Sequence, residues 1–331
     1  SVVVYGKGYD KAAVAAEAAA NTQGFQKLLD AMASQGVERL VLPKGACFRV
    51  CETALAMPSN LTLDLNGSTI KMNGFTGAKC DIIAMKGARD AHVVNGTIEG
   101  DYYEHDYAGS PNHSEWVCGI GMFGDCRDSS FENLTVKNIA GYGGGNGLLD
   151  GSHVFPGMVW IGSTFEPGAI DRASGEIVED APFQFTSRLH DISKMQQGWL
   201  AVSPYLGYQG IAGKSWYYTA AFYDADQTFI SAEVAFQYRV IPIPRGAKFL
   251  RVTMAEESLG KMNEWRIAAA HFKVPVNCAF KKVRFERCRA VGLAQSAMRN
   301  MLVEDCEFTA SGESLATCAY DAEDGWDMMQ D

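Results

Sequence analysis

Four stretches of this chain superimpose on one another: "VVNGTIEG" (93–100), "FENLTVKN" (131–138), "FKKVRFER" (280–287) and "MRNMLVED" (298–305). Aligned, Asn95, Asn133, Lys282 and Asn300 share one column, and Ile98, Val136, Phe285 and Val303 share another. "NLTLDLNGSTIKM" (60–72) joins them with one extra residue before Ile70. The last two copies lie 18 residues apart, which stacks Cys288 on Cys306. Units of roughly twenty residues with alternating apolar positions cannot each bury their own apolar face. They must stack, so the pattern predicts an all-β parallel β-helix with cysteines as small apolar fillers. A β-sandwich of short strands competes, but the matched columns favour the solenoid.

A solenoid needs its ends covered, because open strand edges pair with other chains. In "NTQGFQKLLDAMASQG" (21–36), Phe25, Leu28, Leu29 and Met32 fall on one face of an α-helix, with Gly36 as its stop. This helix is expected to cap the first turn of the solenoid. The preceding "DKAAVAAEAAA" is Ala-rich, with Asp10 as its N-cap candidate. Between 148 and 273 the repeat disappears. "WYYTAAFYDADQTFISAEVAFQYRVIPIPRGAKFLRVTM" (216–254) has aromatic and β-branched residues broken at hairpin spacing, which predicts an inserted antiparallel β-sandwich. The expected organisation is a cap and first turns over 1–147, the insert over 148–273, and further turns over 274–331.

Composition narrows the partners. The 331 residues carry a net charge of −10, which disfavours nucleic acid and anionic membrane surfaces. No apolar run approaches the roughly 18 residues of a membrane span. Ser1 opens without a basic segment followed by a cleavable apolar one, so the reading expects a cytoplasmic or a processed chain. The nine cysteines include no CxxC pair, so at least one thiol is free and no zinc or redox motif is formed.

One polar excursion follows a repeat. "EGDYYEHDYAGSPNHSEW" (99–116) mixes acids, imidazoles and aromatics as sugar clefts do, and Asp101, His105, His113 and Trp116 are its substrate-binding candidates. A polar loop with its aromatics packed inward fits equally well. His105 and His113 match no zinc spacing. Asp224 and Asp226 offer two calcium-type ligands, where a calcium loop needs six or more oxygens. His153, His190 and His271 read as structural.

A resemblance sharpens this picture. "NTQGFQKLLDAMASQGVERLVLPKGACFRV" (21–50) followed by "LAMPSNLTLDLNGSTIKM" (55–72) resembles the opening segment of the pectate-lyase-like superfamily of right-handed β-helices, which act on polysaccharides. The insert, through "GEIVED", "AFYDADQTFIS" and "IPIPRGAKFLRV", resembles jelly-roll modules of bacterial carbohydrate-active proteins. The final "YDAEDGWDMMQD" (320–331) is similar to the β-helix lacto-N-biosidases, retaining glycosidases that release lacto-N-biose from human-milk-type oligosaccharides. That resemblance implies Asp324 as acid/base and Asp331 as nucleophile. "EDGWD" is also similar to one polygalacturonase motif, but that family's later Asp-Asp, Gly-His and Arg-x-Lys motifs are absent.

The resemblance further implies a bacterial extracellular or cell-surface protein, and either a helical chaperone-like subunit or a further chain completing the β-helix. A non-catalytic glycan-binding or adhesion protein is the rival reading. A polysaccharide lyase with a Lys, Arg or Tyr base and calcium is the third.

The spacing of the two aspartates sets a condition. Retaining glycosidases hold their carboxyl groups about 5–5.5 Å apart and inverting ones about 6.5–9.5 Å. Residues seven apart on one strand lie about 23 Å apart, so the chain must fold back between them. "MQD" (329–331) is similar to "MRN" (298–300), which places Asp331 at the start of the next turn. The excess from about Ser311 to Met328 is then expected to bulge out as a loop holding Asp324 over Asp331. Trp326 would stack on a sugar, while Glu323 and Asp327 would bind hydroxyls. A solvated acidic turn with Trp326 packed inward is the plain alternative.

Overall fold

The structure, a computed structural model, describes residues 11–51, 55–74, 79–107, 114, 116–147, 159–195, 199–204, 213–237, 239–265, 267–271, 274–295, 298–313, 318–322 and 329–330. These residues are mostly β, with two helices among them. They fall into two compact units, one built from 11–147, 274–322 and 329–330 and one from 159–271.

In the first unit the chain alternates between two parallel sheets. Sheet 1 runs Arg39–Val41, Leu61–Asp64, Ala91–Glu99, Ser130–Ile139, Val276–Cys288, Met298–Glu304 and Met329–Gln330, each parallel to the last. The short strands Cys47–Val50, Thr69–Met72 and Glu307–Thr309 extend it laterally. Sheet 2 runs Leu55–Ala56, Lys79–Lys86, Trp116–Phe123, Gly144–Gly147, Val291–Gln295 and Cys318–Ala322, again in chain order. Both sheets feed one apolar core, in which Leu63, Ile70, Val93, Phe131 and Phe280 meet Ile83, Ile120, Met122 and Leu293. Strands buried on the core side and repeated in register are what the sequence columns encode.

The bends depend on left-handed backbone. Asn95, Asn133, Lys282 and Asp305 all have φ between 51° and 62° and occupy one register position. Asparagine tolerates this region better than most residues and carries both a donor and an acceptor, so it can also stack. Asn133 Nδ2 donates to Asn95 Oδ1 at 2.9 Å, and Asn95 Nδ2 to Asp64 Oδ1 at 3.1 Å. A second left-handed column, at the strand starts, holds Asn60, Asp90, Asp128, Asn277 and Asn300. There Asn300 Nδ2 donates to Asn277 Oδ1 at 2.8 Å, and Asn277 Nδ2 to Asp128 Oδ1 at 3.0 Å.

These columns correct the sequence alignment. Asn300 belongs with Asn277, and the residue beside Lys282 is Asp305. The fourth copy is therefore shifted by five residues, the distance between Asn277 and Lys282. Val303 sits on Phe280, while Phe308 completes the Ile98, Val136 and Phe285 column. Phe285 and Phe308 stack at 5.3 Å and 8°. Cys288 lies beside Ile139 and Cys306 beside Val283, so they are apolar fillers in different columns.

The helix α1 spans Lys11–Ser34, so it includes the Ala-rich stretch. Its buried face is Val14, Ala18, Thr22, Phe25 and Leu29, whereas Leu28 is 39% exposed. Gln26 binds the edge of sheet 2 as a strand would, accepting from Ala56 N at 2.8 Å and donating to Ala56 O at 2.9 Å. Gly36 ends the helix at φ +71°, with its N–H on Ala33 O and the Val37 N–H on Met32 O.

The second unit is antiparallel. One sheet orders Val159–Trp160, Ile267–His271, Trp199–Pro204 and Ile241–Pro242. The other orders Phe165–Pro167, Gln184–Ser187, Phe249–Ala255, Tyr217–Tyr223 and Phe229–Phe236, with His190–Asp191 also on Phe249–Ala255. Their facing side chains share a separate core around Leu200, Val202, Tyr218, Phe222, Val252 and Met254.

Candidate functional site

The acidic stretch is framed by two described strands. Asp321 and Ala322 pair with Ala294 and Gln295 in sheet 2, and Met329 and Gln330 pair with Met298 and Arg299 in sheet 1. The similarity of "MQD" to "MRN" thus appears as real register through Met329 and Gln330. The expected single loop from Ser311 to Met328 is corrected, because Cys318–Ala322 is a strand. What joins the sheets is only 323–328. Glu323, Asp324, Trp326, Asp327 and Asp331 themselves lie outside the described residues, as does His113.

One side chain at this corner has an unmet requirement. Gln295, opposite Ala322, is buried, and its Oε1 accepts from Tyr320 Oη at 2.5 Å. Its Nε2 is buried with no hydrogen-bond partner among the described residues. A buried orphan donor costs about 1–3 kcal/mol, so an acceptor arriving here is strongly favoured. Nothing in the sequence marks Gln295 as unusual, because its burial comes from stacking.

The excursion after Glu99 forms a second cluster, where the chain passes from sheet 1 to sheet 2. Its Asp101 Oδ2 and His105 Nδ1 lie 2.8 Å apart with both side chains wholly buried. Asp101 O also accepts the N–H groups of Glu104 and His105, closing a tight turn, and Tyr102 N–H docks it on Asn138 O. The Tyr107 ring lies 4.7 Å from that of His105, tilted at 53°, and its hydroxyl donates to Tyr102 O at 2.9 Å. The Arg289 guanidinium lies 4.5 Å over the Tyr107 ring and donates to Ser114 Oγ at 2.8 Å. Tyr102 donates to Glu313, which raises the tyrosine's pKa, and Arg287 sits over Tyr103.

The cluster is braced below by charge. Glu104 meets Arg49 at 3.4 Å and Lys71 at 3.3 Å, while Glu99 meets Lys71 at 3.0 Å and Lys137 at 3.4 Å. Burial pushes the Glu99 carboxyl up, but the two lysines outweigh it and hold it below its ordinary value. Trp116 begins its strand half-buried, edge-on to Tyr142 at 6.2 Å. Of the candidates here, Asp101 and His105 come together and face inward, and Trp116 packs on sheet 2. Their partners Arg287, Arg289, Tyr107 and Glu313 are additions of the structure.

A polar groove opens on sheet 1 at the bend column. Asn133, Thr135, Lys282, Arg284, Asp305 and Glu307 line about 380 Å³, with two cations balanced by two carboxylates. In the second unit, Asp224 Oδ1 accepts from the N–H groups of Asp226 and Thr228, each at 2.9 Å, as a hairpin turn requires. Among the described residues no three His, Cys, Asp or Glu side chains group as a metal site. No described helix is long and apolar enough to cross a membrane.

No protein-family model and no curated protein matches the sequence. Among solved structures, the chain is similar to one from Parabacteroides merdae whose glycosyl hydrolase name is itself provisional. They share 10% identity at a TM-score of 0.40, covering 92% of this chain and 89% of that one. A likeness at this level carries no argument for fold or chemistry.

Proposed function

We propose that the protein is a glycoside hydrolase acting on oligosaccharides, with Asp324 and Asp331 as its catalytic carboxylates. In this reading the first unit is a right-handed β-helix and the second a jelly roll. The observation that carries the proposal is the corner itself. The chain leaves sheet 2 at Ala322 and enters sheet 1 at Met329, beside the buried Gln295 amide that lacks an acceptor. In this reading the six residues between Asp324 and Asp331 do not run as one strand, which would hold the carboxylates about 23 Å apart. Gln295 Nε2 supplies a donor for a sugar hydroxyl or for one of the carboxylates.

The chemistry follows the retaining scheme. Asp331 attacks the anomeric carbon while Asp324 gives its proton to the leaving oxygen, and Asp324 then takes a proton from the water that frees the sugar. Asp324 must start protonated, which a nearby second carboxylate achieves by raising its pKa. The resemblance of the acidic stretch supports lacto-N-biose as the released unit. The extracellular or cell-surface location, the chaperone-like partner and the absence of a required cofactor belong to the same proposal.

Incubation with lacto-N-tetraose and, separately, with polygalacturonate tests it. Lacto-N-biose is expected from the first and no product from the second. Asp324→Asn and Asp331→Asn should each lower turnover by at least about a thousandfold with unfolding unchanged. Undiminished turnover in either variant removes the assignment. A folded protein that binds the tetrasaccharide without cleaving it establishes the adhesion reading instead.

A further inference from the structure

Three aromatic side chains of the second unit form one solvent-facing surface. Tyr217 opens the strand Tyr217–Tyr223 and stands opposite Phe236 at the end of Phe229–Phe236. The Trp216 and Phe236 rings stack at 5.3 Å and 22°, and Tyr217 meets the same Phe236 ring edge-on at 5.5 Å. Trp216 and Tyr217 each remain 58% exposed. Single exposed aromatics are ordinary on protein surfaces, but a contiguous group marks an interaction site.

The surface is also held rigid. Gln237, itself fully buried, donates from its backbone N to Trp216 O at 2.8 Å and from Nε2 to Ser215 O at 2.9 Å. Ser215 Oγ accepts the Tyr217 N–H at 3.1 Å. The backbone carrying both exposed rings is thus fixed before any ligand arrives, which lowers the entropy lost on binding. Next to it, Lys214 Nζ lies 5.1 Å over the ring of Phe183, another exposed aromatic. Phe183 sits at φ +62°, a conformation that a bulky side chain holds only when its surroundings impose it.

Size and charge choose the occupant. A whole aromatic side chain buries about 150–250 Å². Three partly exposed rings therefore offer a few hundred Å², well short of the roughly 800 Å² per partner of a stable protein interface. Lys214 lies 3.8 Å from Glu257, which also binds Lys261, and the chain's net charge of −10 repels anions. A small neutral ligand with one apolar face fits these limits. A hexopyranose has such a face, where its axial C–H groups gather, while its hydroxyls stay at the rim.

We propose that Trp216, Tyr217 and Phe236 form a platform that binds neutral glycans by stacking against the sugar ring. The platform is independent of the hydrolytic reading, since it uses none of the same residues.

The test is an immobilised array of neutral and acidic glycans, probed with the full chain carrying Asp324→Asn so that turnover plays no part. Neutral glycans are expected to be retained. Trp216→Ala and Tyr217→Ala, each in that background, should weaken retention about tenfold, as loss of one stacking contact implies. Trp160→Ala, which removes a 46% exposed tryptophan from the other sheet of the unit, should leave it unchanged. Retention of acidic glycans alone, no retention of any glycan, or undiminished retention by the Trp216 and Tyr217 variants overturns the platform. So does an equal loss from Trp160→Ala. Thermal unfolding of each variant shows that the fold is intact, and Tyr217→Phe, which keeps the ring, should bind as the parent does.

Discussion

Each turn of the first unit passes through left-handed residues, and the side chains found there show what the backbone demands. Asparagine and aspartate fill most positions, yet Lys282, Arg287 and Ala310 hold φ near 52° as well. Each gives up about 1 kcal/mol relative to a residue that tolerates the region. Cysteine follows a different rule, that of volume. All nine are free thiols, with Cys80, Cys118, Cys126, Cys278 and Cys288 buried and Cys47, Cys51, Cys306 and Cys318 half-buried. Burial pushes the Cys288 thiol up to about 12, so it stays protonated and unreactive at pH 8. A thiol-specific chromophore at pH 8 should therefore label at most four cysteines quickly in the folded protein. It should label nine after unfolding without reductant. Five or more fast sites, or fewer than nine in total, would contradict this packing.

Among elements, the outward charge ladder on sheet 1 ties successive strands together. Lys71, Glu99 and Lys137 share one register position, and the lysines hold Glu99 below its ordinary value of 4.5 against the opposing effect of burial. A carboxyl that ionises more readily when folded adds stability that is complete above that value. The contribution is lost as pH falls from there through the lower folded value. Urea unfolding of the parent and of Glu99→Gln should differ by on the order of 1 kcal/mol at pH 7, because the group is partly exposed. The difference should shrink progressively as pH falls below 4.5. A difference that does not shrink under acid would assign the effect to packing.

The elements also show what the sequence could carry. Parallel stacking was legible because Ile98, Val136 and Phe285 recur in one column. The slip of five residues at Asn300 was not avoidable by inspection, since Asn277 and Lys282 head two left-handed columns of the same chemistry. The buried face of α1 was masked by alanines on every side, so Leu28 was assigned inward when Leu29 and Phe25 already fill the contact.

At the scale of the molecule, function gathers where distant segments meet, and sequence alone is weakest there. Asp101 and His105 stood out by residue type, four positions apart on one turn. Arg289 reaches Ser114 across 175 residues and Glu313 reaches Tyr102 across 211, contacts that only stacking creates. Gln295 likewise becomes notable only when a later turn covers it. The acidic stretch was legible as composition, and the structure adds only the register of the strands that flank it, ending at Ala322 and starting at Met329.

The central claim is that Asp324 and Asp331 act in turn on one glycosidic bond. Proton NMR of the reaction with lacto-N-tetraose, recorded before mutarotation sets in, tests it most directly. The account predicts that lacto-N-biose first appears with the anomeric configuration of the bond that was cut. First appearance of the opposite anomer, or no cleavage by folded protein, would contradict it.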